Sequence, residues 1–224
     1  MAPGDAARMN EVTLHCFPES GGCYKAALML ALCGVPWRGV WVDYFAGGET
    51  RTPEWRERVS VMGEVPVLED GALRLSQSGV ILHHLAERTG KFGATSEGER
   101  REILRWILFD NHKFTSYLAT WRFLLGWAKD PHPAVVEFFR ARVESAFGLV
   151  EKHLHGRDFM LGARPTIADI SMNGYLHYPE GEWPLGVAER YPNIAAWIGR
   201  IRALPGYRPA YDLLPGRRTP PRAG

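Results

Sequence analysis

The dipeptide Asp70-Gly71 is the feature that most constrains the fold of this chain. It separates two short segments, residues 65–69 and 73–75, that are apolar enough to form strands. Asp-Gly between two such segments is a strong signal for a tight β-hairpin turn. The two segments are therefore predicted to pair as antiparallel strands.

Alternating strand and helix patterns precede this hairpin. Residues 12–17 and 37–43 are predicted strands, and the apolar spacing of residues 24–33 predicts a helix between them. Residues 52–54 (Thr-Pro-Glu) are typical of a helix start, and a last helix is predicted over residues 76–88. Because a right-handed crossover makes the first two strands parallel, this half should form a mixed four-stranded sheet of thioredoxin-like topology.

Strand patterns end at the polar segment 91–98, which is predicted to be an interdomain linker. Apolar residues at helical spacing then dominate, so residues 99–212 are predicted to form an all-helical domain. The fold class is thus an α/β thioredoxin-like domain, residues 10–90, followed by an all-α bundle. The basic, proline-rich end, residues 213–224, is predicted to be disordered. Helices of the second domain are expected at residues 101–125, 133–155, 166–176 and 193–204.

Composition and charge exclude several functions. A net charge of +2 with no dense basic run before the tail gives no sign of nucleic-acid or membrane binding, and no segment approaches the roughly 20 apolar residues of a membrane span. The polar start of the chain, without an apolar segment, predicts that there is no secretory signal. Three cysteines, an odd and sparse set, favour a reducing compartment, so we expect a cytoplasmic protein. Scattered histidines without ligand spacing predict no metal site.

Four short patterns occur in a fixed order along the two domains. The first is the loop and helix start Pro18-Glu19-Ser20-Gly21-Gly22-Cys23-Tyr24-Lys25, and the others are Val65-Pro66, Gln77-Ser78 and Thr166-Ile167-Ala168-Asp169. The last fits a reciprocal capping box, which stabilises a helix start. Together with the element order, these patterns resemble the glutathione S-transferase superfamily across residues 12–211, especially its bacterial soluble group with a serine-type first loop.

The resemblance implies that the first domain binds glutathione. Val65-Pro66 would be a cis bond that turns the main chain of Val65 toward the cysteinyl part of the ligand. The helix that begins near Ser78 would attract a carboxylate to its N-terminus, and the Gln77 carbonyl would accept from the γ-glutamyl ammonium. The set implied in glutathione binding is Gly22, Arg51, Glu64, Val65, Pro66, Gln77 and Ser78.

Glu64 departs from the pattern of the superfamily. Relatives commonly carry Gln or Lys there, which help to hold the glycyl carboxylate, whereas Glu64 would repel it. Two alternatives stay open: Glu64 points away or pairs with a base such as Arg51, or it is a solvated loop charge. Gln77 also replaces the Glu of many relatives, so it should hold the ammonium less strongly.

Ser20 and Cys23 are the two candidates for activating the glutathione thiol. A free thiol has a pKa of about 8.5, and each unit of lowering requires about 1.4 kcal/mol of selective thiolate stabilisation. Ser20 stands where the superfamily places Ser, Tyr or Cys, so the resemblance implies that its hydroxyl donates to the sulfur. Cys23, at the second position of a thioredoxin C-x-x-C, is either a small buried residue or a thiol activated by the helix terminus.

The first long helix of the second domain is implied as a wall of the electrophile site. Aromatic and polar residues occur on it at three- and four-residue steps, which would suit an apolar or aromatic co-substrate. They are Trp106, Phe109, Asp110, Lys113, Tyr117 and Trp121. The same spacing is typical of a bundle core or a dimer interface, and the resemblance implies a homodimer.

The leading hypothesis is a glutathione S-transferase, which transfers alkyl or aryl groups to its co-substrate glutathione and so serves detoxification of small electrophiles. One alternative is glutathione-dependent thiol–disulfide or peroxide reduction, with glutathione or Cys23 as the reductant. Another alternative is a non-catalytic module that binds glutathione or acts as a regulator.

Overall fold

A computed structural model of the chain describes residues 11–222. The elements of the first domain are β1 (Val12–Cys16), α1 (Gly21–Cys33), β2 (Trp37–Trp41), α2 (Pro53–Arg58), β3 (Val67–Asp70), β4 (Leu73–Ser76) and α3 (Ser78–Thr89). The sheet order is β2-β1-β3-β4, with β1 and β2 parallel and the other two pairings antiparallel. The predicted mixed sheet is confirmed, and Asp70 pairs with Leu73 across the predicted turn.

The second domain is helical. Its elements are α4 (Glu97–Phe109), α5 (Thr115–Gly126), α6 (Pro133–Leu154), α7 (Ile167–Met172), α8 (Val187–Arg190), α9 (Pro192–Arg202) and α10 (Ala210–Leu213). One continuous apolar core joins it to the first domain, with Leu28, Phe114, Phe147 and Trp197 among its fully buried members. The predicted combination of a thioredoxin-like domain and a helical bundle is confirmed.

Helix α1 positions the first loop against this core. Its N-cap is Ser20, whose Oγ accepts the Cys23 N–H at 3.1 Å, and Gly34 ends it with φ 70°. The cap explains why the helix begins at Gly21, three positions before the predicted start at Tyr24. Because α1 is apolar almost all round, it is buried between the sheet and the helical domain.

The long helix predicted over residues 101–125 contains a π-helical turn, Asp110–Phe114, between α4 and α5. At this turn Asp110 is fully buried, and its Oδ2 accepts the Lys25 ammonium at 2.6 Å. A π turn adds a residue to one helical turn, so the faces of α4 and α5 are rotated relative to a continuous helix. This rotation changes which side chains of α5 reach the first domain.

The capping box at the start of α7 is confirmed. The Thr166 Oγ1 accepts the Ala168 N–H, and the Thr166 N–H donates to Asp169 Oδ2 at 2.8 Å. Asp169 Oδ1 also accepts the Trp197 Nε1–H at 2.9 Å. Helix α7 is shorter than the predicted 166–176. After its end the chain passes close to α1, so that a Cβ on Gly174 would lie 2.6 Å from Lys25 Cε.

The prediction of a disordered tail over residues 213–224 is wrong for the described residues up to 222. The Thr219 N–H donates to Glu19 Oε1 at 2.6 Å, and the Thr219 carbonyl accepts the Trp127 Nε1–H at 2.8 Å. The Arg222 N–H donates to the Gly126 carbonyl at 2.8 Å. A basic, proline-rich composition predicts solvation, but distant partners satisfy the polar groups of this segment. Residues 10, 223 and 224, also included in the predicted segments, lie outside the described residues.

No helix within residues 11–222 has both the length and the apolar character needed to cross a membrane. The same residues contain no group of three or more His, Cys, Asp or Glu side chains placed to hold a metal ion.

Candidate functional site

A cleft of about 410 Å³ lies between the two domains. The first domain contributes the loop before α1, the loop after β2 and the segment before β3. The second domain contributes the C-terminal half of α5 and the loop after α7. The lining residues are Phe17, Glu19, Ser20, Tyr44, Phe45, Gly63, Glu64, Val65, Ala119, Thr120, Arg122, Phe123, Trp127 and Tyr175.

Ser20 lies in this cleft at the N-terminus of α1. Its Oγ already accepts the Cys23 N–H, so the hydroxyl hydrogen is left to donate to a second group. The N–H groups at the start of a helix point along its axis and carry a partial positive charge. Ser20 therefore combines a free hydroxyl donor with a helix terminus, which is a suitable environment for an anion.

Cys23 lies one turn further along α1 and is fully buried, outside the cleft lining. Burial raises the pKa of its thiol to about 12, against smaller lowering effects from Ser20 and Phe17. A thiol with such a pKa is protonated at neutral pH and is a poor nucleophile. The geometry therefore places Cys23 in the core, together with Cys16 and Cys33, which are also buried and free.

The Val65-Pro66 bond is cis, as the resemblance implied. Val65 lines the cleft, and Pro66 lies close to Gly22 of α1. A Cβ on Gly22 would lie 3.4 Å from Pro66 Cδ and 3.6 Å from Ser20 Oγ. Gly22 thus belongs to the contact that holds the first loop beside the main chain of Val65.

Glu64 pairs with Gln77 rather than with Arg51. The Gln77 Nε2 donates to Glu64 Oε1, and Glu64 is a partly exposed residue of the cleft lining. Gln77 has φ 68°, an uncommon conformation for a residue with a side chain. Its amide nitrogen is used by Glu64, which leaves its carbonyl oxygen as an acceptor. Arg51 and Ser78, with Gln77 itself, lie outside the lining.

None of the six residues predicted for the electrophile site lines this cleft. Trp106 and Trp121 are buried in the bundle, and Asp110 forms a buried ion pair with Lys25. The ring of Tyr117 faces Phe139 of α6. Phe109 packs edge-on against Trp106, and Lys113 is exposed. The three- and four-residue spacing of these six residues on the predicted helix 101–125 therefore marks mainly the side that packs in the helical bundle. The π turn brings a different side of α5 to the cleft.

Aromatic rings from both domains line the cleft. The Phe45 ring lies parallel to the Phe123 ring, with centroids 6.5 Å apart, and parallel to the Trp127 ring at 6.0 Å. Phe17 and Tyr44 stack at 4.6 Å on the first-domain side. Sequence reasoning missed these residues. The adjacent aromatics Tyr44-Phe45 in an exposed, glycine-bearing loop were the signal that could have identified them.

Arg122, also missed, is a buried cation in the wall of the cleft. Its Nε donates to Glu182 Oε2 at 2.8 Å, and its guanidinium lies 4.0 Å from the Tyr178 ring centroid. A further N–H donates to the Glu19 carbonyl at 2.8 Å, which links α5 to the first loop. Because Glu182 neutralises its charge, Arg122 shapes the wall more than it attracts an anionic ligand.

Comparisons with known proteins agree on the family of this chain. The family model "Glutathione S-transferase, N-terminal domain" matches residues 20–88, and "Glutathione S-transferase, C-terminal domain" matches residues 133–200. A solved structure of a possible glutathione S-transferase from Rhodopseudomonas palustris is 30% identical with a TM-score of 0.78, covering 89% of this chain and 97% of that one.

Two curated relatives carry other names. The disulfide-bond oxidoreductase YfcG of Escherichia coli is 26% identical over 202 residues, which are 87% of this chain and 91% of the relative. Elongation factor 1-gamma of Rattus norvegicus is 27% identical over 163 residues, 71% of this chain. The chain spans 37% of the length of that factor.

Proposed function

Because this chain belongs to the glutathione S-transferase superfamily, we propose that it binds glutathione in the interdomain cleft and activates its thiol for attack on a small apolar or aromatic electrophile. The observation that carries this proposal is the position of Ser20. Its hydroxyl, the N-terminus of α1 and the main chain of Val65 all border one cleft. A peptide thiol aligned on Val65 would have its sulfur beside the free hydroxyl.

The chemistry follows from stabilising one anion. The Ser20 hydroxyl donates a hydrogen bond to the sulfur, and the helix terminus favours its negative charge, so the thiol loses its proton to water more readily. The thiolate then forms a carbon–sulfur bond with the electrophile, and the leaving group departs with the electron pair of the bond that breaks. The rings of Phe45, Phe123 and Trp127 supply an apolar surface for the electrophile.

The Glu64–Gln77 pair serves the γ-glutamyl end of the ligand in this proposal. The Gln77 carbonyl oxygen is available to accept from the ammonium, and the Glu64 carboxylate beside it adds a negative charge. Relatives often carry that charge at the position of Gln77. Here a neighbouring residue provides it, which offsets the loss of charge at Gln77.

Calorimetric titration with glutathione, followed by rate measurements with an aryl halide, tests the proposal. Ser20→Ala should keep glutathione binding but reduce the rate at neutral pH by about 10- to 100-fold, because a hydrogen bond to a charged group contributes about 1.5–3 kcal/mol. Ser20→Thr keeps both the hydroxyl and the helix cap, so it should retain most of the activity. No heat of binding at millimolar glutathione in the unmodified protein would refute the proposal.

Two further variants complete this experiment. Glu64→Gln should weaken glutathione binding about fivefold, a loss of about 1 kcal/mol for one partly solvated charge contact. Ser145→Ala, on an exposed face of α6, is the matched control and should change neither binding nor rate. An equal loss of rate in Ser145→Ala and Ser20→Ala would remove Ser20 from the mechanism.

Glutathione-dependent disulfide reduction is the second candidate function, favoured by the similarity to the Escherichia coli oxidoreductase over most of both chains. In this case the glutathione thiolate at Ser20 attacks a disulfide sulfur and releases the other sulfur as a thiolate. Cys23 is too deeply buried to take part directly. Disulfide reductase activity that persists in Cys23→Ala and falls in Ser20→Ala, together with no conjugation of an aryl halide by the unmodified protein, would favour this function over conjugation.

The homodimer implied by the resemblance also remains a proposal. Val80 of α3 and Leu104 and Leu108 of α4 are large apolar residues that are 47–60% exposed. A second copy of the chain that covered these side chains would remove their apolar surface from water. Light scattering on the purified protein should give twice the mass of the chain, and Leu108→Glu should shift it to the monomer mass.

A further inference from the structure

Tyr175 reaches the same end of the cleft as Ser20, but from the second domain. It lies in the loop after α7, and its ring covers Gly21, the first residue of α1. A Cβ at Gly21 would lie 2.3 Å from the Tyr175 Cδ2 and Cε2 atoms. Only glycine allows this approach, so the ring is held directly over the helix terminus beside Ser20.

The Tyr175 phenol is placed as a hydrogen-bond donor. Burial raises its pKa, against smaller lowering effects from the Arg122 guanidinium and the Gly21 main chain, so the phenol keeps its proton at neutral pH. The Gly21 N–H is a donor only, so this neighbour does not use the phenol hydrogen. Tyr175 is partly exposed and belongs to the cleft lining.

We propose that Tyr175 is a second catalytic hydroxyl, which donates a hydrogen bond to the glutathione sulfur from the side opposite Ser20. The inference rests on the proposed function, since it requires a thiolate in this cleft. Two hydroxyls, one from each domain, then face one sulfur at the N-terminus of α1. Neither hydroxyl takes up the thiol proton, which goes to water, and each stabilises the charge that remains.

The other ionisable groups around Tyr175 leave this assignment intact. The Arg122 guanidinium of α5 lies 5.7 Å from the ring centroid, and the Glu182 carboxylate neutralises its charge. Burial raises the pKa values of the Cys23 thiol and the Tyr178 phenol, so both stay neutral. Tyr44, in the loop after β2, slightly raises the pKa of the Tyr175 phenol. The carboxylates in the lining, Glu19 and Glu64, accept hydrogen bonds and cannot stabilise a thiolate.

The test is the pKa of the bound glutathione thiol, read from thiolate absorbance as the pH is raised. Tyr175→Phe keeps the ring over Gly21 and removes only the hydroxyl. It should raise the pKa of the bound thiol by about one unit, which lowers kcat/KM for an aryl halide at neutral pH about tenfold. Affinity for S-methylglutathione, which has no thiol to ionise, should be unchanged.

Tyr117→Phe is the control, because its ring faces Phe139 of α6 outside the cleft lining. It should leave the pKa of the bound thiol at the value of the unmodified protein. An unchanged thiol pKa in Tyr175→Phe would overturn the role of Tyr175 while leaving the proposed function standing. A purely packing role would instead weaken S-methylglutathione binding. No binding of glutathione by the unmodified protein would overturn both proposals.

Discussion

Two buried ion pairs connect elements around the domain boundary, and they differ in what surrounds them. Lys25 and Asp110 are 1% and 0% exposed, with the ammonium 2.6 Å from the carboxylate. Arg122 and Glu182 are almost as buried, at 3% and 6%. The first pair is absent from the cleft lining, whereas Arg122 belongs to it. The two ion pairs are therefore similarly buried, but only the Arg122 pair has a member in the cleft lining.

The partners of each pair explain the difference. Asp110 also accepts the Ser171 hydroxyl at 2.6 Å and the Thr115 N–H at 3.2 Å, so the carboxylate is saturated by groups of the core. Arg122 is instead surrounded by aromatic rings, and its N–H bond to the Glu19 carbonyl reaches the loop that carries Ser20. We infer that the Lys25 pair fixes the two domains together and that the Arg122 pair shapes the cleft.

The largest expected effect is the loss of stability in Asp110→Ala. This change leaves the Lys25 ammonium buried without its counter-charge, so the free energy of unfolding should fall by about 3–5 kcal/mol. Urea denaturation followed by circular dichroism measures the fall. Glutathione affinity of the folded protein should not change, because neither residue lines the cleft.

The double variant Lys25→Met, Asp110→Leu is the control for Asp110→Ala. It removes both charges and fills similar volume, so it should be more stable than the single variant, since the main cost of Asp110→Ala is an unpaired buried charge. A double variant as unstable as Asp110→Ala would mean that packing around the π turn, rather than the ion pair, holds the domains together.

The same contrast shows which parts of the molecule could be predicted from sequence. The β3–β4 hairpin and the cap at Thr166 depend on residues within a few positions of each other, and both were predicted. Ser20 was chosen as a candidate because the order of motifs resembles a known family; the structure places it in the cleft lining, and its role in activating a thiol stays a prediction. Such features can be recognised from residues close together in the sequence or from motifs shared with a known family.

The parts that could not be predicted depend on contacts between distant residues. The π turn packs around Asp110, whose partner Lys25 is 85 positions away. The tail is held by Glu19, 200 positions before Thr219. Helical periodicity treats α4 and α5 as one straight helix, so it assigned the bundle-facing side to the electrophile. A loop residue such as Tyr175 has no periodicity at all.

Arg122→Met should have a smaller effect on stability and a clear effect on the site. Glu182 keeps its hydrogen bond from the Tyr211 hydroxyl at 2.8 Å and has Arg218 at 4.0 Å. The free energy of unfolding should therefore fall by about 2 kcal/mol, less than in Asp110→Ala.

The Arg122 guanidinium contacts both Trp127 and the first loop, and Arg122→Met removes this shared contact. KM for an aryl electrophile should therefore rise about fivefold, roughly 1 kcal/mol. Steady-state kinetics at saturating glutathione measures the rise, with Lys25→Met as the comparison. An equal rise of KM in Lys25→Met would mean that the loss of any buried charge raises KM, whatever its position relative to the cleft. The two ion pairs would then have the same role.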